Sequence, residues 1–259
     1  MGDKETMQIG RQFMQGRAFY EMMSQSDQAK GLPNPPLGNE ITGEITELPS
    51  FETVVTQPDY TTLLDTRRSE RVYNDVPMSQ EQLAFMLWSI QGVQMYRAAN
   101  RIAVLRPVPS GGARHAFELY AAVRSVQGLR PGLYRYAPLQ NVGEKRVSLE
   151  FIKPLEDHAA SITAMLSGQS FAAKAAVVLF LSCVPYRCEW RYASASHRLM
   201  LMDAGHVGQN AMLSATALGL GSCCFAAFDQ DVCDQTIGLD GTNEFTLYAV
   251  SVGECPKVS

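Results

Sequence analysis

Three things are missing from this chain of 259 residues: an excess of positive charge, a long apolar run and any CxxC pair. Lysine and arginine number 22 against 26 aspartate and glutamate, a net charge of −4. Binding nucleic acid by neutralising phosphates ordinarily needs a basic chain, so no such role is expected. No apolar stretch reaches the roughly 18 residues that cross a bilayer, so no membrane span is expected. The longest run, 175–184, is interrupted only by Ser182 and reads as a strand buried on both faces. The first thirty residues carry Asp3, Glu5, Arg11, Arg17, Glu21 and Asp27 without an apolar core, so no secretory signal is read. Of the six cysteines (183, 188, 223, 224, 233, 255), the adjacent Cys223 and Cys224 are poorly placed for an ordinary disulfide. Reduced thiols and a cytoplasmic location follow as expectations. His115, His158, His197 and His206 show no ligand spacing, so no metal site is expected.

What is present is an ordinary globular composition, 46% apolar and 19% charged, enough for a substantial core. Residues 5–26 read as a polar helix, with Met7, Phe13, Met14, Phe19 and Met22 at loose helical intervals. GLPNPPLG at 31–38 forbids regular structure. Residues 39–57 have no period and read as an extended surface arm or leader, which divides the chain into 1–57 and a compact domain at 58–259. Ser79 with Gln82 is a capping-box pattern opening a helix that Gly92 stops. Strands are expected at 117–127, 132–136, 148–152, 175–184, 222–228 and 244–253, and helices at 155–166, 194–218 and 231–237. Between Leu199 and Leu218 the one formally charged residue is Asp203. A helix apolar all round is buried all round, which suggests the centre of a dimer. Interleaved strands and helices with hairpins give an α+β class.

Four segments bear on chemistry. TRRSER (66–71) sets three arginines among hydroxyls, which suits a phosphate or a solvated helix start. PSGGARH (109–115) has two glycines that let a flat ring or another backbone approach, or that make a tight turn. Asp203 and His206, three apart, share a helix face; a self-satisfied buried polar pair is favoured over a metal or acid–base couple. LGLGSCCFAAFD (218–229) turns from helix to strand and leaves Ala226 and Ala227 with backbone N–H groups able to donate to a ring; simple strand packing is the alternative. No GxSxG, HExxH, P-loop or dinucleotide glycine fingerprint occurs.

Taken in order, RRSERVYND, VPSGGARHAFELY, LRPGLYRY, WRYASASHRLMLMDAGHVGQN, ALGLGSCCFAAFD and EFTLYAVSVG resemble the nitroreductase family over about residues 58–254. The branch most resembled is the SagB-type dehydrogenases, flavin oxidases found beside thiazoline/oxazoline peptide clusters. The resemblance implies an α+β sandwich with a mixed, mostly antiparallel sheet flanked by helices. It implies dimerisation through long central helices, with two FMN molecules at the subunit interface. By the same resemblance Arg67 and Ser69, with Arg68 beside them, hold the phosphate, and Arg71 lies near the pyrimidine edge. Pro109, Ser110, Gly111 and Gly112 reach the flavin of the other subunit, and the backbone of Ala226 and Ala227 hydrogen-bonds near N5. The implied activity is ping-pong hydride transfer on a small molecule, with NAD(P)H as the possible donor. The alternative is a non-redox or flavin-cleaving member of the same fold; a hydrolase built on Asp203 and His206 has little support.

Three departures matter. Arg191-Tyr192 stands where azoline oxidases of the branch carry Lys-Tyr, and arginine cannot act as a base at neutral pH. The ending GECPKVS leaves only Lys257 to reach a phosphate, and Ala113 stands where many relatives have asparagine. Residues 94–108 and 138–147 are the candidate substrate-selecting loops. A charge placed at Ala211 or Ala215 is expected to cost dimerisation and flavin together.

Overall fold

The apolar run at 175–184 becomes the middle of the sheet. In the computed structural model, which describes residues 3–97 and 103–256, nine strands are β1 (Ile45–Leu48), β2 (Met95–Arg97), β3 (Ala103–Leu105), β4 (Phe117–Val123), β5 (Gly132–Tyr136), β6 (Val147–Lys153), β7 (Val177–Cys183), β8 (Gly221–Phe225) and β9 (Phe245–Gly253). Seven of them form one sheet in the order β1-β6-β5-β4-β7-β9-β8, and β2 pairs with β3 in a separate hairpin. Every pairing between these strands is antiparallel. The parallel component expected of a mixed sheet is confined to isolated bridges, Ser69 with Ser222 and Met78 with Val126.

All seven residues of β7 are buried, because strand side chains alternate and helices cover both faces. Leu119, Ala121, Leu179 and Leu181 share a core with Leu83 and Leu87 of helix α4 (Gln80–Gln91) and Val207 and Ala211 of α7 (Ser196–Ala217). Tyr120, Ala122, Val178 and Phe180 pack on the other side with Ile162 and Met165 of α5 (His158–Met165) and Cys233 and Ile237 of α8 (Gln230–Ile237). Full burial of each such Leu, Val or Phe side chain contributes about 1.5–3 kcal/mol. The capping box forms as the sequence implies: Ser79 Oγ accepts from Gln82 N at 3.2 Å, and Gln82 Oε1 accepts from Ser79 N at 2.9 Å.

Three expectations change. The helix at 5–26 is two, α1 (Asp3–Met14) and α2 (Phe19–Ser24), parted where Ala18 adopts a left-handed φ of 56°. Residues 39–57 do not run as a free surface arm: β1 pairs with β6, and Leu48 and Phe51 enter the core. Glu118 Oε1 accepts from Asn39 N at 2.9 Å, and Glu150 Oε1 accepts from Thr42 N and Gly43 N at 2.7 Å. The helix expected from 194 is preceded by a separate α6 (Tyr186–Tyr192), and Ala193 at φ 47° breaks the two. All six cysteines are free.

Two histidines make the fold acid-sensitive. Burial, with Arg106 adding to it, depresses the His115 pKa to about 3, and burial with Arg124 depresses His158 to about 4. Both are neutral when folded at pH 7, whereas an unfolded histidine titrates near 6.5. Below about 6.5 the unfolded chain takes up protons that the folded chain refuses, so stability falls from there toward pH 4. Urea midpoints are expected to be lower at pH 5 than at pH 7. His158→Gln is expected to flatten that dependence by up to about one proton per unfolding event. An unchanged slope would contradict this account.

Candidate functional site

The TRRSER segment follows a helix end rather than a helix start. Helix α3 (Tyr60–Thr66), capped by Asp59, stops at Arg67. Residues 69–70 then lie along β8, where Glu70 N donates to Ser222 O at 2.9 Å. Arg67 Nη1 sits 3.9 Å from Met212 Sδ on α7. Arg68 folds back on its own backbone, donating to Asp65 O at 2.7 Å and Arg67 O at 2.8 Å. Arg71 Nη1 donates to Ser69 O at 3.3 Å. None of these three arginines forms an ion pair among the described residues.

The PSGG loop is tied to α7 by Asp203. Gly111 N donates to the two carboxylate oxygens at 3.1 and 3.3 Å, and Ser110 hydrogen-bonds the same group. His115 N donates in turn to Ser110 Oγ at 2.9 Å. Burial pushes the Asp203 carboxyl up from its ordinary pKa, and these hydrogen bonds oppose the shift. Asp203 is therefore satisfied by a loop, not by His206, which is exposed. The sequence signal for this anchor was a lone acid in an apolar helix; its partner, 92 residues away, was not legible. Gly112 holds φ at +59°, and a Cβ there would collide with Tyr192 Oη and lie 2.9 Å from Arg191 Nε. A Cβ on Gly111 would meet Leu199 at 3.4 Å. The bare sides of the two glycines thus face α6 and α7 of the same chain, and Ala113 is buried behind them.

Ala226 and Ala227 are exposed just past β8. Ala227 O accepts from Gln169 Nε2 at 2.9 Å, and neither residue's N–H is engaged in a hydrogen bond with a described residue. Ala226 lies four residues beyond Ser222, about 13 Å along an extended chain. The cationic segment at 67–71 and the unused amides at 226–227 thus flank one strand end to end.

The two halves of the predicted site occupy different stations on α7. Met212, beside Arg67, lies nine residues beyond Asp203, beside the PSGG loop, about 13 Å along the axis. Leu201, Met202, Gly205, His206 and Gln209 form an exposed stripe on that helix at helical spacing. The helix is not buried all round: Ala204, Val207, Ala211 and Ala215 face the chain's own core, and the stripe faces out. Ala211 and Ala215, at 0% exposure, are core residues and do not probe a dimer contact.

The candidate loops at 94–108 and 138–147 contain the paired strands β2 and β3 and a short 3-10 turn at Pro138–Asn141; residues 98–102 and Lys257 lie outside the described residues. A cavity of about 390 Å³ under the 38–41 segment is lined by Glu118, Arg135 and Tyr136 and by Pro138, Leu139 and Gln140 of the second candidate loop, and by none of the residues expected to bind the flavin. Among the described residues no group of His, Cys, Asp or Glu is arranged to hold a metal ion, and no helix is long and apolar enough to cross a membrane.

Residues 64–254 match the nitroreductase family. The chain belongs to that family. A protein of Methanocaldococcus jannaschii named as a nitroreductase is 30% identical over 207 residues, 80% of this chain and 94% of the relative. The trifolitoxin-processing protein TfxB of Rhizobium leguminosarum bv. trifolii is 28% identical over 162 residues, 62% of this chain and 42% of TfxB. Among solved structures, a protein of Anabaena variabilis named as a nitroreductase superposes with a TM-score of 0.62 at 24% identity, covering 85% of this chain and 45% of that one. A chain of the E. coli microcin synthetase McbBCD complex, with truncated pro-MccB17 bound, superposes with a TM-score of 0.59 at 19% identity, covering 99% and 95%. The chain spans less than half of TfxB and of the Anabaena chain. The antiparallel sheet flanked by helices is the nitroreductase α+β fold. The nitroreductase family is one of FMN-dependent oxidoreductases.

Proposed function

We propose that this chain is an FMN-dependent oxidoreductase acting as a homodimer, taking hydride from a reduced nicotinamide and passing it to a small acceptor in two half-reactions. The observation that carries the reading is the arginine segment: among the described residues Arg67, Arg68 and Arg71 lie without acidic partners beside Ser69, at one end of a strand whose other end offers amides not bonded to any described residue. Such a set fits a phosphate at one end and a polar ring edge at the other. FMN, when bound, would supply a two-electron carrier that takes hydride at N5. Arg67 and Ser69 would hold its phosphate, with Arg68 contributing charge from its folded-back position. Arg71, permanently cationic, would stabilise negative charge at the pyrimidine edge. The N–H groups of Ala226 and Ala227 would donate near N5. Pro109, Ser110, Gly111 and Gly112, fixed by Asp203, would serve the neighbouring subunit's flavin.

The dimer reading is supported by the separation of the two half-sites along α7 and by the exposed stripe beside them. Kinship to the SagB-type branch is supported by the likeness to TfxB and to the microcin synthetase chain. Arg191 cannot supply the base that azoline oxidation uses, so a small molecule is the better-supported substrate.

Acid release and mass measurement of the cofactor test the reading: one FMN per chain is expected. FAD, or no flavin after reconstitution, would contradict it. Repeated NAD(P)H turnover without loss of flavin absorbance would reject the flavin-cleaving alternative. Light scattering should give about twice the chain mass. Leu201→Asp, which puts a charge on the exposed stripe without entering the core, is expected to yield monomers and lose flavin together. A flavin-loaded monomer would overturn the interface.

A further inference from the structure

Helix α6 lays Arg191 and Tyr192 against the PSGG loop. Arg191 Nε and Cδ lie 2.9 and 3.0 Å from where a Cβ on Gly112 would be, so the stem of the side chain is fixed by packing. Its Nε is buried without a hydrogen-bond partner among the described residues, and the residue as a whole is half-buried. Asp203 holds the loop, and Glu189 hydrogen-bonds His197 at 2.7 Å; neither forms an ion pair with Arg191. A nearby charge on Arg191 is a second cation, Arg114, which it repels. Helix α6 therefore sets against the loop a positioned positive charge that forms no ion pair among the described residues.

We propose that Arg191 is a specificity-determining residue that selects substrates bearing a carboxylate. The inference rests on the reading that the PSGG loop meets a flavin, because only then does Arg191 stand at the mouth of the reacting site. A guanidinium is charged at every working pH, and its planar fork matches a carboxylate. Neutral substrates gain nothing from it, so its effect is a preference and not a rate on all substrates.

The test uses the FMN-loaded dimer, with Arg191→Met and Arg191→Lys beside the native protein. Benzoate and benzamide, matched in shape, are titrated by calorimetry, and 4-nitrobenzoate and 4-nitrobenzamide are compared by kcat/KM. The native protein is expected to prefer each carboxylate about tenfold, a figure held to the low end because the site is partly exposed. The preference should vanish in Arg191→Met, return in part in Arg191→Lys, and shrink with added salt. Equal binding of benzoate and benzamide by the native protein, or an unchanged preference in Arg191→Met, would overturn the inference while leaving the FMN reading intact. A tenfold loss of FMN affinity in Arg191→Met with the preference kept would assign the cation to the cofactor and also overturn it. A native protein that takes up no FMN fails the underlying reading first, and the inference with it.

Discussion

Arg67→Ala is expected to weaken FMN binding about ten- to a hundredfold, the loss of a charge-assisted contact of about 1.5–3 kcal/mol. Among the described residues the guanidinium makes a sulfur contact at 3.9 Å and no ion pair, so its removal leaves no buried acid unpaired there and the fold should stand. Its proposed position at the phosphate is remote from the reacting atom, so saturating FMN should restore most of the turnover. Arg68→Ala is expected to do much less, because that side chain is taken up by Asp65 O and Arg67 O. Fluorescence titration of FMN and turnover at saturating FMN separate the two. A turnover defect in Arg67→Ala that excess FMN cannot repair would place Arg67 at the reacting end instead.

Arg71→Ala should fail in the opposite way. Its guanidinium makes one contact at 3.3 Å with Ser69 O and is otherwise exposed, so little binding energy depends on it. Negative charge grows at the pyrimidine edge during reduction, and a cation there stabilises the reduced state more than the oxidised one. Its loss is expected to lower the flavin midpoint potential and slow reduction by NAD(P)H even at saturating FMN. Potentiometry and stopped-flow reduction check this. If both quantities are unchanged, the segment at 67–71 does not lie along the ring.

The contrast between what was and was not legible in the sequence follows the range of the interactions. The capping box at Ser79, the apolar β7 and the stop at Gly219 are set by neighbours a few residues apart, and they form where expected. The 39–57 segment has no period because long-range contacts hold it: Glu118 and Glu150 bind its backbone, and of its side chains Leu48 and Phe51 enter the core at no regular interval. Helix α6 went unseen because YRCEWRY is short and takes its shape from packing on Phe19 and the 115 region. Asp203 drew attention through His206 three residues on, yet its partner is the PSGG loop. Composition fixed the outward stripe of α7 poorly, since Leu201 and Met202 are as apolar as the core residues Val207 and Ala211. The flavin-binding roles proposed for Ala226 and Ala227 are poorly legible in residue chemistry, because backbone groups would do the work; the small side chains allow a donor there or plain strand packing, and the family resemblance singled out the first.

The central claim is that each site joins the arginine segment of one subunit to the PSGG loop of the other. Co-expression of Arg67→Ala with Gly112→Val tests it most directly, with flavin content measured at limiting FMN. Each variant alone should be depleted of flavin, the second because valine collides with Tyr192 and cannot hold a φ of +59°. In a mixed dimer one site carries both defects and the other carries neither, so random pairing should restore about a quarter of the native flavin content. No recovery, with mixed dimers shown by mass measurement to be present, would mean that both segments serve a site within a single chain.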